Sequence, residues 1–415
     1  MQAQKKDYIW NSIGSFLQSA ISPILLIVIT RLNGVGDSGL FSFAMSLSVV
    51  FWAISLWGGR TYQVSDVKKE FSSGDYIVVR FISSLIVAVF SISFCILSGY
   101  DLIKTELIMV LVSFKILESI ADSIYGVLQI HNKLYIVGIS LTMKSVFGFM
   151  IFAIVDILTK NIVYGALSIF IVNIAVVIFY DIPLMKHVES VGLTKKNIMQ
   201  AGKIMKKTAE VFVVVFLTMF SLNIPRYFLD KYHYDQIGYF GIMAMPITLL
   251  TLFISFVLQP NVVNLSELLK KKKIKEFTKI VSKIDFITFT LGILFVVSSY
   301  LIGVWALNTV FGIDINNFRI DLTIMVIGAV ANAFASIYVN LLIILRRFKG
   351  QFYTLLVTNI LAVILSIYLI DRLAMLGSVL VFMTISFLQA IILLFIYKRS
   401  LKNVIMLSED KVRYE

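Results

Sequence analysis

Twelve stretches of about twenty mostly apolar residues follow one another along the chain. They lie near 10–30, 40–58, 77–98, 106–128, 137–158, 162–181, 209–229, 238–259, 284–306, 321–344, 352–370 and 376–397. A hydrocarbon layer is crossed by about 20 apolar residues in α-helix. Lipid offers no hydrogen-bond partner to irregular backbone, so such a chain folds as a bundle of membrane-spanning helices. Composition agrees. Of 415 residues 59% are hydrophobic and 15% charged, whereas soluble domains are about half apolar and a quarter charged. The lone cysteine, Cys95, excludes an internal disulfide. The first apolar segment carries Asn11, Ser15, Gln18, Ser19 and Ser22 without a small-residue cleavage site, and it reads as a retained span rather than a signal peptide.

An even number of spans places both termini on one side, and the basic residues choose the side. With the termini inside, 28 of the 37 Lys and Arg fall on inner segments and seven on outer ones: Arg31, Lys104, Lys160, Arg226, Lys231, Arg319 and Arg372. Lys115 and Lys144 lie within spans. Both termini are therefore expected in the cytoplasm, and the net charge of +13 needs no nucleic-acid partner. The basic stretch SELLKKKKIKEFTKIVSK reads as part of this topology signal, and contact with anionic membrane lipids is the second reading.

The chain also repeats itself. Gly39 and Phe41 after span 1 match Gly238 and Phe240 after span 7, and Ser123-Ile124-Tyr125 in span 4 matches Ser336-Ile337-Tyr338 in span 10. The pattern predicts parallel six-helix halves, 1–190 with a basic linker at roughly 182–207, then 208–415 with a cytoplasmic tail. A substrate path between such repeats is the expected arrangement.

Span 4 reads SFKILESIADSIYGVLQ and carries Lys115, Glu118 and Asp122 within an arc of about 60° at 100° per residue. A charge near the bilayer centre costs at least about 2.5–3.5 kcal/mol, so this stripe must face protein or water. Span 5 meets span 4 at a turn near HNKLY. Equal distances from that turn predict an ion pair between Asp122 and Lys144, with Lys115 and Glu118 as a second pair at i, i+3. Two readings stand: charges that neutralise one another to hold the bundle, or a hydrated cavity that binds a polar solute or relays protons. The hydroxyl and amide face of span 1, with Gln18 and Ser22, suits either sugar hydroxyls or close helix packing.

Other features divide in the same way. Arg226 follows a proline in LTMFSLNIPRYFLD, and Arg60 sits in WGGRTYQVSD. Each arginine suits a phosphate or an interfacial anchor. Trp52 and Trp57 read as interface-belt residues, with sugar stacking as the second option. His131, His187 and His233 show no metal-ligand spacing, and no GxxxxGK[ST] is present. No catalytic residues, metal or cofactor are expected, and a secondary transporter fits better than a membrane enzyme.

Several of these segments resemble a known family. WNSIGSFLQSAISPILLIVITRL with GDSGLFSFAMS, then RTYQVSDV, then ESIADSIYGVLQ and the lysine of SLTMKS are similar to bacterial lipid-linked oligosaccharide flippases. These serve O-antigen, capsule and exopolysaccharide assembly, and they belong with the multidrug and toxin extruders (MATE) in one exporter superfamily. The resemblance spans essentially the whole chain. It implies an all-α, MATE-like polytopic protein of about twelve helices in two six-helix bundles, V-shaped around a central cavity, in the bacterial cytoplasmic membrane. The implied substrate is an undecaprenyl-pyrophosphate-linked repeat unit, with H+ or Na+ as coupling ion and contact with polymerase machinery. By resemblance, Arg60, Lys144, Arg226 and Lys115 take the cationic role, and Glu118 and Asp122 serve coupling or gating. Ala331 and Ala335 stand where the second half would repeat those acids, which concentrates charge in the first half. The alternatives are a cation-coupled MATE-type drug or metabolite exporter and a membrane polysaccharide polymerase.

Overall fold

The computed structural model describes residues 2–66, 70–192, 194–345 and 347–413. The elements are α1 (Gln2–Asn33), α2 (Val35–Leu56), α3 (Gly59–Ser65), α4 (Ser73–Ser98), α5 (Leu102–Ile130), α6 (Leu134–Thr159), α7 (Ile162–Val176), α8 (Ile182–Val188) and α9 (Lys195–Tyr232). The order continues with α10 (Ile237–Met243), α11 (Met245–Lys270), α12 (Ile274–Ser298), α13 (Val304–Phe311), α14 (Arg319–Ile344) and α15 (Phe348–Arg413). Two short π-helical segments, Val177–Asp181 and Ser299–Gly303, join α7 to α8 and α12 to α13. Among the described residues there is no strand.

Among the described residues, ten helical segments are long and apolar enough to cross a membrane. Two adjustments recover twelve. The helix α5 has the length but carries Lys115, Glu118 and Asp122 along it. The last segment, Phe348–Asn403, would reach about 84 Å at 1.5 Å per residue, nearly three bilayer cores. Ala374, at φ 48° and ψ −120°, breaks it into two. The protein is a multi-pass membrane protein, all-α in class.

Local chemistry sets the boundaries. Ser72 and Asp75 form a reciprocal capping box that starts α4, and the Asp101 and Asn161 side chains cap α5 and α7. Gly99 closes α4 in the left-handed conformation. The stretch 182–207, expected as a linker, is largely helical: α8 ends at Val188 and α9 starts at Lys195. The physical reason is an apolar stripe. Ala201, Ile204 and Thr208 are fully buried, and the first two pack on Phe71, Tyr76 and Val79 at the start of α4. Trp57 is likewise a packing residue rather than an interfacial one: its ring stacks on Phe212 at 4.0 Å and its Nε1 donates to the Met205 carbonyl at 2.9 Å.

The chain divides into two compact units, Met1–Met219 and Phe220–Glu415. In the first, α1 lies along α6. A Cβ on Gly138 would come within 2.2 Å of the Trp10 backbone, and one on Gly14 within 2.3 Å of the Gly138 carbonyl. Such glycine contacts let membrane helices approach closely. Asn33 donates to Asp156 at 2.8 Å, and the Asp7 carboxylate accepts from the Tyr135 backbone N–H at 2.7 Å, tying both ends of the same contact. The core beneath gathers Ile124, Tyr125, Leu128, Val137, Leu141 and Val177. In the second unit α14 packs on α15, where Gln389 donates to Ser221 at 2.8 Å and to Thr358 at 3.0 Å. Outward faces of α4, α7 and α15 carry exposed Phe, Leu and Ile such as Leu85, Ile171 and Phe395, as lipid contact requires.

Candidate functional site

The helix α5 carries Lys115, Glu118, Asp122 and Tyr125, which at 100° per residue fall within about 80° of arc. Lys115 and Glu118 share one polar contact, and Asp122 and Tyr125 enter two others. Lys115 Nζ lies 2.6 Å from Glu118 Oε2, as the i, i+3 spacing predicts. Gln18 of α1 donates to the other Glu118 oxygen at 3.1 Å, so the amide face of α1 does meet the charged helix. Ser22 stands half-buried about one turn further along α1. The Lys115 ammonium is also 5.5 Å from the Trp52 ring centroid and 4.9 Å from that of Phe114. Trp52 thus shields a cation instead of marking a membrane interface.

Asp122 is held by two arginines. Arg80 Nη2, on α4, donates to Oδ2 at 3.1 Å, and Arg60 Nε, on α3, lies 3.7 Å from Oδ1. The glycine pair Gly58 and Gly59, with φ of 90° and 66°, supplies the left-handed turn that starts α3 and sets Arg60 here. The side chain of Arg80 is 4% exposed and that of Arg60 33%. Arg80 is the buried partner of the carboxylate, and Arg60 the more exposed one.

The expected pair between Asp122 and Lys144 does not form. Lys144 instead donates to Asp181 Oδ2 and to the Tyr125 hydroxyl, both at 2.6 Å, and Tyr125 is within 2.9 Å of Ser140 Oγ. Lys144 is directed to the π-helical segment that carries Asp181, and it meets α5 at Tyr125, three residues beyond Asp122. A π turn inserts one residue per turn and so rotates the residues beyond it about the helix axis. This pair is closed: the Lys144 side chain is 8% exposed and that of Asp181 0%. Lys144 therefore offers no open cation to a solute in this structure.

Arg226 belongs to the second unit, next to Pro225 inside α9 and 5.3 Å from the Phe240 ring centroid. The repeated Ser-Ile-Tyr motif has matching partners in the two units. Tyr125 donates toward Asp181 and Tyr338 toward Asp285, each at 3.4 Å. Arg80, Asp181, Tyr125 and Ser140 are the polar residues that reasoning from the sequence did not assign. Arg80 stands seven residues into α4, a charge inside an apolar run that hydropathy scanning credits to the adjoining basic loop.

Solved structures share this fold over nearly the whole chain. An inward-facing multidrug resistance MATE family transporter of the MOP superfamily superposes with a TM-score of 0.72 at 11% identity, over 95% of this chain and 98% of that one. The fold is that of the MATE transporters. The lipid II flippase MurJ, in an inward closed conformation, has the same MATE fold, with a TM-score of 0.70, 14% identity, and 95% and 90% of the two chains covered. Among curated proteins the chain is 24% identical over 403 residues to a capsular polysaccharide biosynthesis protein, CapF, of Staphylococcus aureus, covering 95% of this chain and 99% of that protein. No family model matches the chain.

Proposed function

We propose that the protein is a flippase that moves undecaprenyl-pyrophosphate-linked oligosaccharide repeat units across the bacterial cytoplasmic membrane for surface polysaccharide assembly. The observation that carries the proposal is the partly exposed Arg60 beside the Arg80–Asp122 pair. A half-neutralised cation at the edge of a low-dielectric bundle attracts a diphosphate, and the carboxylate keeps the two arginines from repelling each other when none is bound. The MATE fold and the full-length likeness to a capsular polysaccharide protein support the same reading. In this proposal Lys115 and Arg226 are further cations along the path, Gln18 and Ser22 meet sugar hydroxyls, and Glu118 and Asp122 respond to H+ or Na+. Both termini lie in the cytoplasm, and the halves 1–190 and 208–415 are the moving parts.

The second reading is a cation-coupled drug or metabolite exporter, which the MATE neighbours favour. Binding separates the two. Purified protein is titrated with a fluorescent polyprenyl-pyrophosphate oligosaccharide and with a lipophilic organic cation. The flippase reading expects the pyrophosphate lipid to bind and Arg60→Gln to weaken it about tenfold or more, by loss of a charge-assisted hydrogen bond. Tight binding of the organic cation, with Arg60→Gln without effect on either ligand, would favour the exporter.

A further inference from the structure

A cavity of about 850 Å³ opens within the first unit, among the end of α3, the start of α4, the last turn of α5, Glu189 just after α8, and the start of α9. All of these segments lie on the side that the Lys and Arg distribution assigns to the cytoplasm. Its volume is in the range of small-molecule sites. None of the charged groups Arg60, Lys115, Glu118, Asp122 and Lys144 lines it.

Its carboxylates are already committed to the walls. Asp66 accepts from the backbone N–H groups of Glu70 and Phe71 at 3.1 and 3.0 Å and from the Tyr76 hydroxyl at 3.1 Å. Asp75 accepts from the Ser72 N–H and from the Asn197 side chain, each at 2.7 Å. Glu70 pairs with Lys207, and Glu189 lies 3.7 Å from His131. These acids therefore do not form a cation site.

The amides are what remains. Gln63 is 2% exposed and donates from Nε2 to the Ser123 carbonyl at 3.1 Å, while its buried Oε1 has no hydrogen-bond partner. Gln129 and Gln200 line other walls, with Lys196 beside them. An amide offers both donors and an acceptor, the same pairing that vicinal sugar hydroxyls present. Gln63 Oε1 is closed off against Gly126 of α5, so Gln63 fixes the wall, and Gln129 and Gln200, both half-buried, are the amides a hydroxyl can reach. Position adds to chemistry. Gln63 is three residues from Arg60 on the same short helix, and its contact at Ser123 adjoins Asp122.

From this we infer that the cavity is a saccharide-binding vestibule that holds the glycan of the lipid-linked substrate while its pyrophosphate engages Arg60. The inference rests on the flippase reading and extends it to a site for the sugars. Specificity for the glycan would then be set by Gln129 and Gln200, not by the charged stripe of α5.

The test uses the full chain carrying Cys95→Ser and Ser73→Cys, which places a single thiol in the cavity wall. Labelling by a hydrophilic maleimide is timed with a polyprenyl-pyrophosphate trisaccharide, and with polyprenyl pyrophosphate lacking sugars. Binding of each lipid is measured separately by fluorescence anisotropy. The vestibule predicts slowing by the sugar-bearing lipid alone. It also predicts that Gln129→Ala with Gln200→Ala weakens that lipid about tenfold, through loss of two hydrogen bonds, and leaves the bare pyrophosphate lipid unchanged. If Ser73→Cys does not fold, Lys196→Cys reports from the first turn of α9. Binding of the sugar-bearing lipid without protection, or equal protection by both lipids, overturns the vestibule and leaves the flippase reading standing. No binding of either lipid overturns the flippase reading itself, and the vestibule with it.

Discussion

Removing the Lys144 ammonium, as in Lys144→Met, would leave Asp181 as a lone carboxylate with a fully buried side chain, one of whose oxygens already has no hydrogen-bond partner. Breaking a buried ion pair from one side costs about 3–5 kcal/mol, whereas replacing both partners with apolar groups of similar volume is often neutral. For a unit of 219 residues, a kilocalorie lowers the midpoint by about 2–4 °C, so the single variant should lose roughly 6–20 °C. The assay is the fraction of monodisperse protein left after heating in detergent. Lys144→Met should fall by that amount, and Lys144→Met with Asp181→Leu should recover most of it. A single variant within about 1 °C of the parent, or a double variant no better than the single, would show that the pair does not hold α6 to the π-helical segment.

Three further outcomes follow from the geometry. Asp122→Asn leaves Arg80 charged and buried and should abolish most polymer export while the protein still reaches the membrane, read by surface-polymer immunoblot against membrane content. Gly138→Ala should lower the melting midpoint through about 1–3 kcal/mol of overpacking against the Trp10 backbone, whereas Gly202→Ala, which meets nothing within 4 Å, should be neutral or slightly stabilising. At Asp66 burial raises the pKa, but the Phe71 and Glu70 N–H groups, the Tyr76 hydroxyl and Lys207 hold it below the ordinary 3.8. A folded-state pKa that is depressed contributes stability above the unfolded value and loses it as the pH falls through the folded one. Hydrogen exchange at the start of α4, corrected for intrinsic rate, should therefore quicken in the parent only below about pH 4, and in Asp66→Asn at neutral pH as well.

Much of the fold was legible because membrane helices announce themselves by length and hydropathy, and the charges of α5 did not hide it. The Lys115–Glu118 contact was also legible, since i, i+3 geometry lies within one helix. What the sequence could not convey was azimuth between helices. The π turn at Val177–Asp181 brings Asp181, and not Asp122, to Lys144. Arg80 escaped for a related reason: a charge near the end of an apolar run counts toward topology until a partner on another helix is seen. The 182–207 stretch read as a linker because its lysines dominate composition, while the stripe of Asn197, Ala201, Ile204 and Thr208 that makes it helical is spread at intervals of three and four.

The central claim is transbilayer movement of a pyrophosphate-linked glycan, and reconstitution tests it directly. Liposomes loaded with a fluorescent polyprenyl-pyrophosphate oligosaccharide are treated with a membrane-impermeant quencher, with and without an imposed proton or sodium gradient. The account predicts protein-dependent access of the quencher to lipid first held in the inner leaflet, with loss of that access in Asp122→Asn. An inner-leaflet pool that stays protected under every gradient, in vesicles where binding of the lipid to the protein is demonstrated, would contradict it.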